Sequence, residues 1–226
     1  MYAESDVGEI FIPMDITPSQ LARLVSFINK IETETYPESP YVIHTEITNQ
    51  VIEVLTTQFG VYQEDRILDV GCGQGPALDI LRDKGYQRAI GVTLNEEDVR
   101  ICKEKGHDVR KMDQSFLEFN DAEFDFVWAR HVIEHSIFPY FTLTEFARVL
   151  TSGGSLYLEV PAPDTSCHHE TNPNHYSVLS HGAWISLLRR CGFVIRHEGR
   201  YTFPTPMGMD EYWGFICSKS SRNEIL

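Results

Sequence analysis

Residues 66–75, Arg-Ile-Leu-Asp-Val-Gly-Cys-Gly-Gln-Gly, constrain this chain more than any other stretch. An apolar run suited to a strand (Ile67, Leu68, Val70) feeds a turn with glycines at 71, 73 and 75, and Pro76 to Lys84 then reads as a helix that Gly85 stops. Glycine at alternate positions lets the backbone turn sharply and lets a ligand approach with no Cβ in the way. The N–H groups that open the following helix point at the same place. The unit is a strand–loop–helix around a nucleotide-type pocket. Spacing narrows the ligand. A dinucleotide fingerprint reads G-x-G-x-x-G and sets a pyrophosphate against the helix. Here the third glycine falls one residue early and Asp69 stands two residues before the first. A carboxylate at that point repels a pyrophosphate and suits an ammonium group. No Lys-Ser or Lys-Thr follows, which removes the phosphate-cradling P-loop as well. A glycine-rich turn with no ligand is the competing reading. Alternating glycines behind a buried strand and an acid argue against it.

The pattern D-x-G-x-G-x-G resembles motif I of class I S-adenosylmethionine (SAM)-dependent methyltransferases. SAM carries a sulfonium and an α-amino group and no phosphate, which suits the acid. A second block is similar to the segments that follow motif I in small-molecule methyltransferases: Phe124-Asp-Phe-Val-Trp-Ala-Arg-His-Val-Ile-Glu-His135, then Glu145, Arg148-Val149-Leu150 and Gly153-Gly154. With 66–75 the resemblance spans roughly residues 60 to 198. It implies a Rossmann-like α/β three-layer sandwich whose seven-stranded sheet is mostly parallel, with one antiparallel strand. SAM would lie across the carboxyl ends of the first strands, at the switch point.

The rest of the chain fits that frame, because strand and helix patterns alternate as a covered parallel sheet requires. Strands are expected at 88–92, 107–112, 124–128, 155–160, 193–196 and 212–217. Helices are expected near 96–105 (capped by Asn95 or Thr93), 140–150 and 180–190, with a turn at Thr151–Gly154. Thr17-Pro18-Ser19-Gln20 has the cap, first-turn proline and box residue of a helix start. That helix would run to about Ile31 with Leu21, Leu24, Val25 and Ile28 on one face, and a second would cover about 44–59. Residues 1–60 therefore read as a helical lid or appendage and 61–226 as the SAM-binding domain, with Tyr36, Tyr41 and His44 as lid residues. A packed appendage or dimer contact is the other reading. Pro204, Pro206, Met207, Met209 and Trp213 would wall the pocket opposite.

Composition bounds the partners. At 226 residues the chain can bury one good core. No apolar run approaches membrane-spanning length, and Met1 to Asp6 has neither a basic start nor a signal core. The five cysteines are an odd number with no C-x-x-C, which suits reduced thiols in a cytoplasm. Net charge is −14 and no basic run exists, so nucleic acid and anionic membranes are poor partners. A small-molecule acceptor fits better, bound by a monomer or homodimer.

The resemblance places SAM contacts by position. Asp69, Gly71, Gly73 and Gly75 would hold the methionine end. The acid that usually ends the second strand is replaced here by Thr93, in Gly91-Val92-Thr93-Leu94-Asn95. A similar Gly-x-Thr-Leu run occurs in cyclopropane fatty acid synthases, where a polar residue five positions on meets the ribose. Asp98 occupies that place, with a solvated helix acid as the alternative. Asp113 would cap the adenine amino group, or simply form a turn, with Gln114 and Ser115 offering backbone contacts. Ala129 and Arg130 would lie beside the reactive methyl. His135 and His131 are the candidate bases, and Glu134 could orient a histidine or hold a cation.

Cys167, His168, His169, Glu170 and His175, with Asp164 upstream, have the composition of a metal site, as in some catechol and sugar methyltransferases. Their spacing matches no compact zinc motif. The preferred reading is a substrate-binding loop that includes His168, His169 and His175, with Tyr41 from the lid and no metal assigned. His181 reads as part of a helix N-terminus. The sequence thus points to methyl transfer from SAM, with S-adenosylhomocysteine (SAH) as product, to a small molecule, most readily at a hydroxyl oxygen. A C-methylating or cyclopropane-synthase-like enzyme and a non-catalytic SAM-fold subunit are the alternatives.

Overall fold

The structure, a computed structural model, describes residues 16–35 and 42–220. The chain divides after Thr35 into two compact units. In the first, helix α1 (Pro18–Thr33) opens on a complete capping box: Gln20 N–H donates to Thr17 Oγ1 at 3.3 Å, and Thr17 N–H donates to Gln20 Oε1 at 2.8 Å. None of its residues is buried.

The second unit begins with α2 (Val42–Gln58) and continues β1 (Ile67–Val70), α3 (Pro76–Asp83), β2 (Ala89–Thr93), α4 (Glu96–Glu104), β3 (Asp108–Lys111) and β4 (Phe124–Arg130). It ends with α5 (Pro139–Val149), β5 (Leu150–Pro161), α6 (His181–Arg190), β6 (Phe193–Thr205) and β7 (Gly208–Lys219). The strands form one seven-stranded sheet in the order β3-β2-β1-β4-β5-β7-β6. Only β7 runs antiparallel to its neighbours β5 and β6. This is the sheet the resemblance implied.

Side chains alternate across the sheet, which sorts the core into two faces. Leu68, Val70, Val127, Ala129, Leu156 and Leu158 face one side and pack with Leu143 and Phe146 of α5 and Trp184 and Leu188 of α6. Ile67, Phe126, Trp128, Tyr157 and Ile216 face the other, where Val51, Ile52 and Leu55 of α2 and Ala77 and Leu81 of α3 cover them. Helix α2 is thus part of the domain's core, and the division after Thr35 lies well before residue 60. On this second face the apolar pattern gives way to charge toward the strands' carboxyl ends: Asp69 follows Ile67, Arg130 follows Trp128, and Glu159 follows Tyr157. The site begins there.

Three expectations need correction. The turn expected at Thr151–Gly154 belongs to β5, whose pairing with β4 shifts register between Phe124 and Phe126 and absorbs it. Strands β6 and β7 are far longer than the short segments expected, because they zip together as a hairpin through the pair Thr205 and Gly208. Met207 and Met209 sit at its tip, 67% and 52% exposed, and do not wall a pocket. Among the described residues, no helix is long and apolar enough to cross a membrane.

Candidate active site

The glycine loop is held by its neighbours. Gly71 and Cys72 N–H groups both donate to Val92 O, at 2.9 and 3.0 Å, tying the end of β1 to β2. Gly71, Gly73 and Gly75 have φ of 74°, 50° and 80°, the left-handed region where glycine carries little penalty. Gly75 is the residue before α3 and caps it without a side chain, leaving the helix's first N–H groups to the pocket side. A Cβ at Gly73 would meet nothing within 4 Å, so the loop has open space at its middle. Asp69 is 2% exposed, and its Oδ2 is buried with no hydrogen-bond partner. Burial alone pushes its carboxyl up to about 7. A buried acid lacking a counter-charge, beside open glycine backbone, fits the ammonium end of a SAM-like ligand.

The next strand ends supply the flanks. Thr93 and Asp98 are both buried, the latter 3% exposed at the start of α4, where Asn95 Oδ1 accepts from Glu97 and Asp98 N–H groups. The solvated-acid alternative for Asp98 is therefore overturned. Leu94 is half-buried beside them. Asp113 Oδ1 accepts from Ser115 N–H at 2.6 Å, so one of its oxygens makes the turn. Gln114 Nε2 donates to Val132 O at 2.7 Å while its Oε1 is buried without a partner. The Ser115 hydroxyl joins Thr142 at 2.8 Å in a buried cluster with Ser136, and its backbone N–H is taken by Asp113.

Beyond Ala129, wholly buried at the end of β4, the chain enters a polar rim. Arg130 Nε lies 2.7 Å from Glu159 Oε1 as a buried ion pair. Tyr157 donates its hydroxyl to the same carboxylate. His131 takes the left-handed conformation (φ 52°), which turns its ring between two acids: Nδ1 is 3.5 Å from Glu134 Oε1 and Nε2 is 3.0 Å from Glu159 Oε1. Burial pulls its pKa down, but the bonds to Glu134 and Glu159 outweigh it and the net shift is upward. Burial likewise opposes ionisation of Glu159, yet Arg130, His131 and Tyr157 hold it down at about 2. Tyr212 meets the His131 ring edge-on at 4.1 Å, and His44 of α2 lies 5.7 Å from it. Burial, then the charges of His131 and Arg130, lower His44 to about 4.

Glu134 and His135 form a single 3-10 turn with Ile133. The loop after β5 brings His175 against His135, ring centroids 4.8 Å apart, and stacks His169 on His175 at 5.8 Å. His169 Nε2 is 3.0 Å from both oxygens of Asp210. His168 does not join them: its side chain is 63% exposed and faces Glu170. Tyr41 lies outside the described residues. His181 is the first residue of α6, with Ser180 as cap. Glu159, Tyr157, Asp210 and Tyr212 were missed as site residues. One signal was available for Glu159, a lone acid in the apolar run Leu156–Val160.

The profile of a family described as "Methyltransferase domain" matches residues 23–198. The chain is 26% identical over 165 residues to 27-O-demethylrifamycin SV methyltransferase of Amycolatopsis mediterranei, covering 66% of this chain and 59% of that protein. It is 36% identical over 135 residues to the sterol 24-C-methyltransferase of Eremothecium gossypii, covering 54% and 34%. The chain thus spans little more than half the first relative and a third of the second. Among solved structures, the [4+2]-cyclase SpnF superposes with a TM-score of 0.64 at 21% identity, covering 92% of this chain and 98% of that one. That likeness concerns the fold.

Proposed function

This chain belongs to the methyltransferase-domain family of SAM-dependent enzymes, and from that premise we propose that it moves a methyl group from SAM to a hydroxyl oxygen of a small molecule. The observation that carries the reading is the uncompensated Asp69 carboxylate of β1 beside the three left-handed glycines of the loop that follows that strand. Bound SAM supplies a methyl group on a positively charged sulfur, which an acceptor atom takes by in-line displacement. In this reading Asp69 and the loop of Gly71, Gly73 and Gly75 hold the ammonium and carboxylate end. Thr93, Leu94 and Asp98 meet the ribose. Asp113, Gln114 and Ser115 border the adenine, and Ala129 with Arg130 forms the floor near the methyl.

The acceptor sits at the rim, with its hydroxyl toward the corner formed by Glu134, His135 and His175. His131 fits poorly as a base, since both ring nitrogens already face carboxylates and an imidazolium has no lone pair. It serves as a fixed donor that neutralises Glu134 and Glu159. His135 keeps one ring nitrogen available, because Nδ1 is 2.9 Å from the Asn174 carbonyl and must carry the hydrogen. The acceptor's proton leaves by that corner. Carbon methylation is the second reading, favoured by the 36% identity to a sterol C-methyltransferase.

The test is titration of the full chain with SAM, SAH and NAD, followed by transfer of isotopically labelled methyl from SAM to a panel of phenols, sugars and polyketides. Micromolar binding of SAM and SAH with NAD silent, and label on oxygen, is the expected result. Label on carbon would replace the oxygen reading. Absence of SAM and SAH binding would overturn the methyl-transfer reading.

A further inference from the structure

Two segments far apart in sequence meet at the rim, and hydrogen bonds lock them together. Ser177 N–H donates to Glu134 O at 2.9 Å, and the Ser177 hydroxyl donates to Ser136 O at 2.6 Å. The loop after β5 is thereby fastened to the 3-10 turn after β4. Side chains follow from the backbone. His135 Nδ1 faces the Asn174 carbonyl at 2.9 Å, and His175 Nδ1 faces the His169 carbonyl at 3.0 Å. A carbonyl oxygen only accepts, so each Nδ1 carries the hydrogen and each Nε2 presents its lone pair. Glu134, adjacent to His135, is 1% exposed, and its Oε2 is buried with no hydrogen-bond partner. One donor atom from each of Glu134, His135 and His175 lies within 4.8 Å of the others.

We propose that Glu134, His135 and His175 bind a divalent transition-metal cation through two imidazole nitrogens and one carboxylate oxygen, with open coordination positions toward the acceptor pocket. Each histidine is oriented by a carbonyl behind it, which makes Nδ1 the donor and Nε2 the atom left to ligate. Glu134 Oε1 already faces His131 at 3.5 Å, and the ion supplies the partner that Oε2 lacks. Two nitrogens and one oxygen suit Mn2+, Fe2+, Co2+ or Zn2+ better than Ca2+ or Mg2+, which prefer all-oxygen sites.

A neighbouring trio, Cys167, His169 and Asp210, also has donor atoms within 4.8 Å of one another. Its groups already satisfy each other: His169 bonds both Asp210 oxygens at 3.0 Å, and Cys167 Sγ lies 3.4 Å from Thr205 Oγ1. The first trio is the metal site.

The ion's role, though not its binding, rests on the hydroxyl-transfer reading. With the ion bound, the free His135 nitrogen is a ligand rather than a proton acceptor, and a hydroxyl ligated to the ion gives its proton to solvent instead. Its oxygen then keeps the electron pair that forms the O–CH3 bond as the S–CH3 bond breaks, and SAH leaves as a neutral thioether.

Chelator-stripped full chain is titrated with Mn2+ by electron paramagnetic resonance of the free ion, and with Co2+ by visible absorption. One Mn2+ per chain at micromolar affinity is expected, weakened about tenfold or more in His175→Ala and in Glu134→Gln. SAH titration of the same variants reports that the pocket is folded, and its failure in the unaltered chain would sink methyl transfer while leaving the metal result readable. Lack of Mn2+, Co2+ and Zn2+ binding would overturn the site. So would binding that survives His135→Ala/His175→Ala, or that disappears in Cys167→Ser/His169→Ala.

Discussion

Gly71 and Gly73 stand two residues apart in one loop, yet a methyl group added to each would meet different surroundings. At Gly71, with φ 74°, a Cβ would overlap the Val132 side chain, so strain and a clash combine. At Gly73, with φ 50°, a Cβ would meet open space, so only the strain of about 1–2 kcal/mol applies. Gly73→Ala should therefore keep the fold and lose SAH affinity by about tenfold or more, because the added carbon fills room that the ligand would use. Gly71→Ala should lose stability as well, and melting curves with SAH titration separate the two. Normal SAH affinity in folded Gly73→Ala would mean that the ligand lies elsewhere. The two glycines look alike in sequence, since spacing shows that the backbone turns but not which side chain stands behind it. The same limit applies to Asp98, whose burial depends on how α4 leans on β2, and to His131. No pattern announces that a histidine will adopt a left-handed backbone between two acids.

At the scale of elements, periodicity made nearly every helix and most strands of the sheet visible, while their partners were harder to read. Helix α2 shows its apolar positions in sequence, but Val51, Ile52 and Leu55 meet Ile67, Phe126 and Tyr157 only because the sheet brings those together. Its place in the core follows from packing across the sheet, which a single stretch of sequence does not encode. Leu55 is 1% exposed, whereas Leu21 of α1 is 51% exposed. Leu55→Ala should cost about 2–5 kcal/mol through lost burial and the cavity left behind. Leu21→Ala should change stability by no more than about 0.5 kcal/mol. Denaturant unfolding of the two variants tests this, and equal effects would mean that α2 does not close that face. The β6–β7 hairpin was underestimated for a related reason. Its outer half alternates polar residues such as Glu198, Arg200 and Thr202, and its pairing comes from the returning strand rather than from an apolar face.

For the molecule as a whole, the acid that names the pocket is also a source of instability. Asp69 titrates at about 7 in the folded chain because it is buried without a counter-charge, against roughly 3.9 in an unfolded one. Between those values the unfolded chain has released its proton while the folded chain retains it. Folding stability therefore falls as pH rises from about 4 to 7, by a total on the order of 4 kcal/mol, and levels off above. A net charge of −14 works in the same direction, since excess negative charge opposes one more buried carboxylate. Asp69→Asn, which cannot ionise, should gain on the unaltered chain steadily across that window when both are unfolded without ligand. A ligand ammonium reverses the balance, because it favours the ionised acid. SAH binding should release close to one proton at pH 6 and almost none at pH 8.5, read as a difference in heat between buffers of unlike ionisation enthalpy. Asp69→Asn should abolish that release together with most of the affinity. A stability difference that stays flat with pH would remove burial as the cause. Proton release that persists in Asp69→Asn would move the ammonium site to another acid, of which buried Asp98 is the nearest in kind.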